Sequence, residues 1–570
     1  MRLIDNFKLP LSMELFDRYS FFELYPFDGG GSFINREIVG TVNDAEYTAS
    51  VVEKDALGLF GGYKEVDFLR FESWRTIERT SWINRLYYIA PLANHARKTG
   101  DKKLAREVVD ILLRFATHPD YKAPATQQAT CDFHDEILRR RDQEYNALGP
   151  EFDAKVPYQW FDFQPASRII HSLHALTFVK ELAEITEAEW DILEEMIYIH
   201  GRNIFWAEES HLKLHPSNHQ ALRGMALMLA ASFFKGSRDT APWIKVAEKM
   251  CDYHIQNDFL SDGMLNDLSP SYHFFECWIT RDALQIAANE GYTLSDAARA
   301  KARKAFDICR ALRQPDGFST VVSDGYPLDM TIFVQTLGET SVGEEVEMLL
   351  DEARIAVKKD GQGNFLLFDC APLLAKLSHY HGGKNSVTAF FKGEGFLMDP
   401  GCCSYDDEDF SEYFKQSSNH TSLLISGKGD SVLQGLYTWL AAPDCKVTPW
   451  KDGGITSVMT SNAPGWEGVS WERKVDFNNG RLELADKVNC PREEELAFTF
   501  ALRSGVSCEI EGKKAILKAG NVTVEAEFPF PVEAVEGKEF KNFVKLPAYK
   551  LVMKCTAANC DVKTVFKVKE

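Results

Sequence analysis

An α+β multidomain chain, with helix hairpins first and an antiparallel β-sandwich after them, is the fold class this sequence predicts. Three observations carry it. Apolar residues recur at spacings of three and four from about Trp74 to Val357. The texture breaks at the polar, glycine-containing run Lys358-Lys359-Asp360-Gly361-Gln362-Gly363-Asn364. Beyond it, short β-branched and aromatic runs alternate with turn signals.

In order, the first helix is expected near Ile77 to Lys98, with Trp82, Leu86 and Ile89 on one stripe. Further helices are expected over Leu104 to Phe115, Ala166 to Leu182 and Ala188 to Ile204, and from Pro216 onward with Leu222, Met225, Leu229 and Phe233 facing inward. Trp243 to Ile255, Ser271 to Asn289, Ala297 to Leu312 and Val342 to Ala356 complete the set. Roughly ten helices in succession are too many for one bundle, so they must stack as hairpins in an open solenoid or a closed toroid. No repeat of fixed period is present, which disfavours a repeat solenoid. Strands are expected at Asn385 to Phe391, Gly395 to Met398 and Val522 to Phe528, and the turn signals include Lys451-Asp452-Gly453-Gly454 and Asn478-Asn479-Gly480. The breaker, read as a linker, sets domains of residues 1–364 and 365–570.

A chain of 570 residues is longer than one ordinary core serves. Its net charge of −20 disfavours phosphate backbones and anionic lipid as partners, so neither nucleic acid nor membrane is expected. Aromatic residues make up 12%, which suits either sugar stacking or an ordinary large core. The first residues, Met1-Arg2-Leu3-Ile4-Asp5-Asn6-Phe7-Lys8, lack the apolar run and cleavage site of a secretory signal. Twelve cysteines occur with no CxxC pair, which fits reduced thiols and a cytoplasmic protein.

Four clusters bear chemistry. Leu265-Asn266-Asp267-Leu268-Ser269-Pro270-Ser271-Tyr272-His273 runs into a helix, with Ser269 as a natural N-cap and Pro270 at the first helical position. Tyr272 then lies in the first turn, where the helix dipole favours a phenolate and hence a base; an interfacial tyrosine is the plainer reading. His215-Pro216-Ser217-Asn218-His219-Gln220 repeats the design, with an amide and an imidazole at a helix mouth able to meet an anion, or with Ser217 or Asn218 simply capping. Gln164, Arg168 and His171 form a polar stripe that lines a cleft or faces solvent. Last, His379 and His381 share a face if their segment is extended, and Asp399 with His420 could complete a tetrahedral zinc set, with Cys402 and Cys403 as rival ligands.

Taken in order, four marks resemble the heparinase II/III-type polysaccharide lyases: Asn218-His219 opening a helix; Ser269-Pro270-Ser271-Tyr272-His273; His379-Tyr380-His381 before a strand; and Asp399-Pro400-Gly401 with Tyr405 leading to Asn419-His420. The resemblance implies an (α/α) toroid followed by an antiparallel β-sandwich that contributes histidines to the cleft. It implies β-elimination on a 4-linked uronic-acid glycan, with a glycosaminoglycan such as heparan sulfate, hyaluronan or chondroitin favoured and alginate or another polyuronate as the alternative. Tyr272 would be the catalytic base and often also the acid, while Asn218, His219 and His379 would neutralise the uronate carboxylate or help move the proton.

Candidate substrate contacts are Gln164, Arg168, His273, Lys384 and Tyr405. The zinc of several relatives, structural there, would fall to His381, Asp399 and His420, and no organic cofactor is implied. The partner would be an acidic oligo- or polysaccharide, attacked from a chain end if the protein is not exported, and homo-oligomerisation stays open. Three departures stand out: Gly383 where the family motif His-x-His-x-Asp has its acid, Asn266-Asp267-Leu268 ahead of the Ser-Pro, and Lys415-Gln416 where an arginine is common. The rivals are a glycoside hydrolase acting on unsaturated uronides, for which Asp252, Asp258, Asp262 and Asp267 supply acids without a visible partner, and an inactive carbohydrate-binding relative.

Overall fold

The computed structural model describes residues 2–26, 43–46, 48, 85–144, 158–211, 213–375, 379–403, 407–451, 453–541 and 544–569. Trp82 and the first part of its expected helix lie outside the described residues, as does Tyr405. The chain forms two compact units.

The first unit, Met1–Phe259 with Phe274–Arg303 and Thr331–Gly338, is helical. Amphipathic spacing explains its outer helices. In Lys102–Thr117 the residues Leu104, Val108, Ile111, Leu112 and Phe115 are buried on one stripe, and Asp101 caps the start by accepting the Leu104 N–H at 3.0 Å. Glu187–His211 begins with a capping box, in which Thr186 and Glu189 each accept the other's backbone N–H. Phe163–Val179 is buried on nearly every face and packs against Ile89–Thr99, Glu187–His211 and Asn218–Phe233. Asn218–Phe233 forms the next hairpin with Ala241–Asn257. Gln127–Glu144 is an additional helix, which its weak apolar stripe had concealed.

The second unit comprises Leu260–His273, Lys304–Met330 and Glu339–Glu570. Its strands form two large antiparallel sheets. One has five strands in sequence order, Glu345–Leu350, Ile355–Asp360, Phe365–Asp369, Ser386–Phe391 and Glu394–Leu397. The other is ten-stranded, with the long strands Arg481–Ala501 and Val544–Val568 paired at its centre. Alternation gives each strand an inner face, as in Ser470–Asn478, where Trp471, Arg473, Val475 and Phe477 are buried. Phe368, Val387 and Phe391 of the smaller sheet share one core with Trp471, Leu484, Phe498 and Leu551 of the larger, which makes the pair a sandwich. Arg473 is buried there against Asp486 at 2.7 Å and also donates to the carbonyls of Asn385 and Thr421.

Two expectations are corrected. Val342 to Ala356 is not a helix: Glu345–Leu350 pairs with Ile355–Asp360 around a turn in which Arg354 takes φ +54°. Val346, Leu349 and Leu350 also fit a helical stripe, and so short an apolar run does not distinguish the two. Nor is Lys358–Asn364 a linker. It is a strand end and a hairpin turn, with Gly361 and Gly363 at positive φ, so strands begin at Glu345, ahead of the 364/365 boundary. No helix among the described residues is long and apolar enough to cross a membrane.

Candidate functional site

The helix carrying Tyr272 begins at Pro270, as expected from its sequence, so the phenol lies in the first turn. Ser269 stands at the N-cap position, its carbonyl accepting the His273 N–H at 2.9 Å. Its hydroxyl does not cap; it donates to the Asp324 carbonyl at 2.5 Å. Ser271 donates to the Tyr326 carbonyl and accepts the Tyr326 N–H. Between these contacts lies Gly325, where a Cβ would come within 2.6 Å of the Ser271 hydroxyl, so only glycine lets the loop approach the helix this closely.

The same loop reaches the histidine segment, since the Asp324 N–H donates to the His379 carbonyl at 2.8 Å. The His379 ring lies flat on the Tyr272 ring, with centroids 3.9 Å apart and planes 13° from parallel. Tyr272 is half-buried, and 22% of the His379 side chain is exposed. Asp267 Oδ1 lies 3.2 Å from His379 Nδ1. Burial opposes the imidazolium, but Asp267, with Asp324 behind it, outweighs that cost and raises the His379 pKa above the ordinary histidine value.

His379 and His381 do not share a face. Their segment is irregular, the strand starting only at Ser386, and His381 turns instead to Asp324 and His420. His381, Asp399 and His420 are all buried, each with one ligand atom within 4.8 Å of the others. His381 Nε2 meets Asp324 Oδ1 at 2.7 Å and His420 Nδ1 meets the Gln416 carbonyl at 3.0 Å, leaving His381 Nδ1 and His420 Nε2 as buried nitrogens without a hydrogen bond. Burial pushes the Asp399 carboxyl up to about 8 and His381 down to about 4. Two neutral imidazoles and a buried acid form a donor set that a metal ion fits.

Asp324 is fully buried and also pairs with Lys415 Nζ at 3.3 Å. Burial pushes its pKa up, but Lys415 and then His381 outweigh that and hold it below the usual carboxylate range. Lys415 lies over the rings of Phe410 and Tyr437, so the lysine found where an arginine was expected is an internal cation. Gly383 has an equally definite reason. It takes φ +84°, its Cβ would lie 2.8 Å from His420 Cβ, and its N–H and that of Lys384 donate to Asp430. Asp430 thus fixes the backbone of the segment that follows His381.

In the helical unit, Ser217 is the cap of Asn218–Phe233, accepting the Gln220 N–H at 3.4 Å. Asn218 is therefore not used for capping and lies half-buried at the helix mouth. His219 Nδ1 meets Asp162 Oδ2 at 2.5 Å, and its ring stands edge-on to Phe163. One turn on, Arg223 pairs with both Asp162 and Glu208.

Four expected substrate contacts are corrected to internal roles. Arg168 is buried over Phe115 and Trp160, its Nε donating to His200 Nε2 at 2.7 Å. Gln164, also buried, accepts from Arg85 Nε at 3.3 Å. The polar stripe they form faces neither cleft nor solvent, because its helix is enclosed. His273 accepts the Leu265 N–H and bonds the Ala305 carbonyl. Lys384 is buried against Asp369 at 2.7 Å and over the Tyr380 ring. The aspartates weighed for hydrolysis are each engaged locally: Asp252 with the Ser295 N–H, Asp258 with His254, Asp262 with the N–H groups of Glu352 and Ala353, and Asp267 with His379.

Sequence reasoning gave no partner to Asp267 and did not single out Asp162, Asp324 or Asp430. Only the turn-like Ser323-Asp324-Gly325 offered a local signal.

Comparison with known proteins yields two family models that match in tandem. One described as Heparinase II/III N-terminus matches residues 40–341, and one described as Heparinase II/III-like, C-terminal, matches residues 349–566. A curated heparin-sulfate lyase of Bacteroides thetaiotaomicron is 20% identical over 415 residues, 62% of this chain and 55% of that protein, so the chain spans about half of its relative's length. The crystal structure titled heparinase III aligns with a TM-score of 0.67 at 15% identity, covering 88% of this chain and 79% of the other. The heparan sulfate lyase HepC of Pedobacter heparinus aligns at 0.58 and 14%, covering 89% and 78%. At such identities the likeness is one of fold, the (α/α) toroid and antiparallel β-sandwich expected from the sequence.

Proposed function

The chain belongs to the heparinase II/III family, and from that premise we propose that it is a polysaccharide lyase cleaving a 4-linked uronic-acid glycan by β-elimination. A glycosaminoglycan of the heparan sulfate type is the first candidate substrate, because the curated relative bears the name heparin-sulfate lyase. The observation that carries the reading is the half-buried phenol of Tyr272, in the first turn of a helix and laid against a carboxylate-paired imidazole.

The chemistry is the removal of a weakly acidic proton. Tyr272, as phenolate, takes hydrogen from C5 of the uronate; the electron pair left behind forms the C4=C5 double bond, and the C4–O bond breaks. The phenol then returns its proton to the departing oxygen. Asn218, His219 and His379 are the candidate donors to the charge that builds on the uronate carboxylate, roles that the family resemblance implies. The helix N-terminus favours the phenolate, as does the His379 ring against its face when it is protonated, the form that Asp267 favours. His381, Asp399 and His420 would hold a zinc ion that neutralises the buried carboxylate and ties the loops together; no step of the reaction passes through it.

Incubation with heparan sulfate, hyaluronan, chondroitin and alginate, read as the ultraviolet absorbance of the new double bond, tests the reading. Unsaturated product from one of them, lost in Tyr272→Phe with the fold intact, is the expected result. Hydrolysis without that absorbance would replace it with the glycosidase alternative, against which the local engagement of the four aspartates already argues. Chain-end action is tested by product size: disaccharides from the outset support it, and an early ladder of long fragments rejects it.

A further inference from the structure

The sulfurs of Cys555 and Cys560 lie 3.5 Å apart, although both residues belong to the strand Val544–Val568. In a regular strand, residues five apart are separated by about 17 Å and face opposite sides of the sheet. An irregularity removes both obstacles. Ahead of Cys555 the odd positions point inward, with Leu551 and Met553 buried; from Cys560 onward the even positions do, with Val562, Thr564 and Phe566 buried.

The pairing explains the change of phase. Asn489 pairs with Asn559 and Glu494 with Ala557, so the strand Arg481–Ala501 places Cys490-Pro491-Arg492-Glu493 opposite Ala558 alone. Alternation slips by one residue at this bulge, and the strand bends there, so both thiols meet on the inner face. Cys560 belongs to the sandwich core and Cys555 packs against it. The two differ in access: Cys555 is partly exposed and Cys560 is buried. That burial, with the hydrogen bond between the sulfurs, pushes the Cys560 thiol above the ordinary cysteine value.

We infer that Cys555 and Cys560 form a thiol–disulfide exchange site, whose reactant is a small-molecule disulfide and whose product is a reversible cross-link between the two residues. Cys555, the more exposed, loses its proton to solvent and attacks one sulfur of the small disulfide. That S–S bond breaks, one thiolate leaves, and a mixed disulfide remains on Cys555. Cys560 then loses its proton to solvent, attacks Cys555 Sγ and expels the second thiolate. The protein gives up two electrons and two protons, and the small disulfide is reduced to two thiols. The sulfurs close from 3.5 Å to about 2.05 Å, and contact between them makes the second step intramolecular. Cys555 stays within reach of solvent, so a reductant reopens the bond. The inference goes beyond the lyase reading and needs no glycan.

The test incubates the folded full chain with oxidised glutathione, alkylates the remaining thiols and maps the peptides by mass spectrometry. The peptide holding both cysteines should escape alkylation and be lighter by two hydrogens than its reduced form, and dithiothreitol should restore both thiols. In Cys560→Ala a glutathione adduct should persist on Cys555 instead. The proposal is overturned if both residues stay alkylatable while partly exposed Cys490 or Cys508 is oxidised. A lasting glutathione adduct on Cys555 of the unsubstituted protein, or a bond that forms only in urea, would overturn it equally.

Discussion

Among the histidines that hold a carboxylate at Nδ1, His219 and His379 differ in what surrounds the pair. In the helical unit, Asp162 lies 2.5 Å from His219 and is shared with Arg223. In the strand-rich unit, Asp267 lies 3.2 Å from His379, and among the described residues no lysine or arginine pairs with it. The first carboxylate already shares the Arg223 guanidinium with Glu208, so it mainly fixes a ring in place. The second has only the imidazole, with Asp324 adding to its pull, so it favours the protonated form of the ring. One pair is a clamp and the other a source of charge, a difference that lies in the neighbours rather than in the residues themselves.

The largest expected effect sharpens that contrast at the phenol. His379→Ala, which removes the ring against Tyr272, should lower elimination about 1,000-fold, within the range for a group that helps move a proton. His219→Ala should lower it about 100-fold, the scale of one preorganised donor. Initial rates of double-bond absorbance check both, and a reversed order would break the distinction.

Arg223→Gln removes the balancing cation from the clamp and leaves the buried Glu208 without its ion pair. It should destabilise the protein by about 3 kcal/mol in urea unfolding, as for broken buried pairs. Asp267→Asn should act differently, through pH. The raised pKa of His379 means that the folded protein binds its proton more tightly than the unfolded chain does. That stability is present below the unfolded histidine pKa and is lost as pH rises through the folded one. The stability advantage of the native protein over Asp267→Asn should therefore shrink from acid to alkaline pH; a constant difference would place the Asp267 effect elsewhere.

The smallest expected effect concerns the proposed metal. A strong chelator should lower the melting temperature by a few degrees, the scale set by linkage of one bound ion to folding, while initial rates well below the transition stay the same. An immediate loss of rate would assign the ion a part in the chemistry.

Much of the fold was legible because its signals are local. Leu104 to Phe115 and Trp243 to Ile255 have stripes that recur within a turn, and the start of the Tyr272 helix is written in Ser269-Pro270. The strands at Glu345–Leu350 and Ile355–Asp360 were not legible, since their apolar spacing fits a helix equally well. The site was half legible for the same reason. Tyr272, Asn218 and His219 sit at readable helix starts, but the carboxylates that orient the histidines come from afar: Asp162 is 57 residues from His219, and Asp324 is 57 from His381. Arg168 and Gln164 misled because a polar stripe on a helix carries no mark of whether the helix is enclosed.

Asp324 joins three things by four bonds: its carbonyl to the cap position of the Tyr272 helix, its N–H to the His379 backbone, and its carboxylate to His381 and Lys415. The working phenol and the three-residue ion cradle thus hang from a single peg. A cation held in the cradle would therefore add to the folding stability of the segment that opens the Tyr272 helix, while leaving the phenol where it already lies.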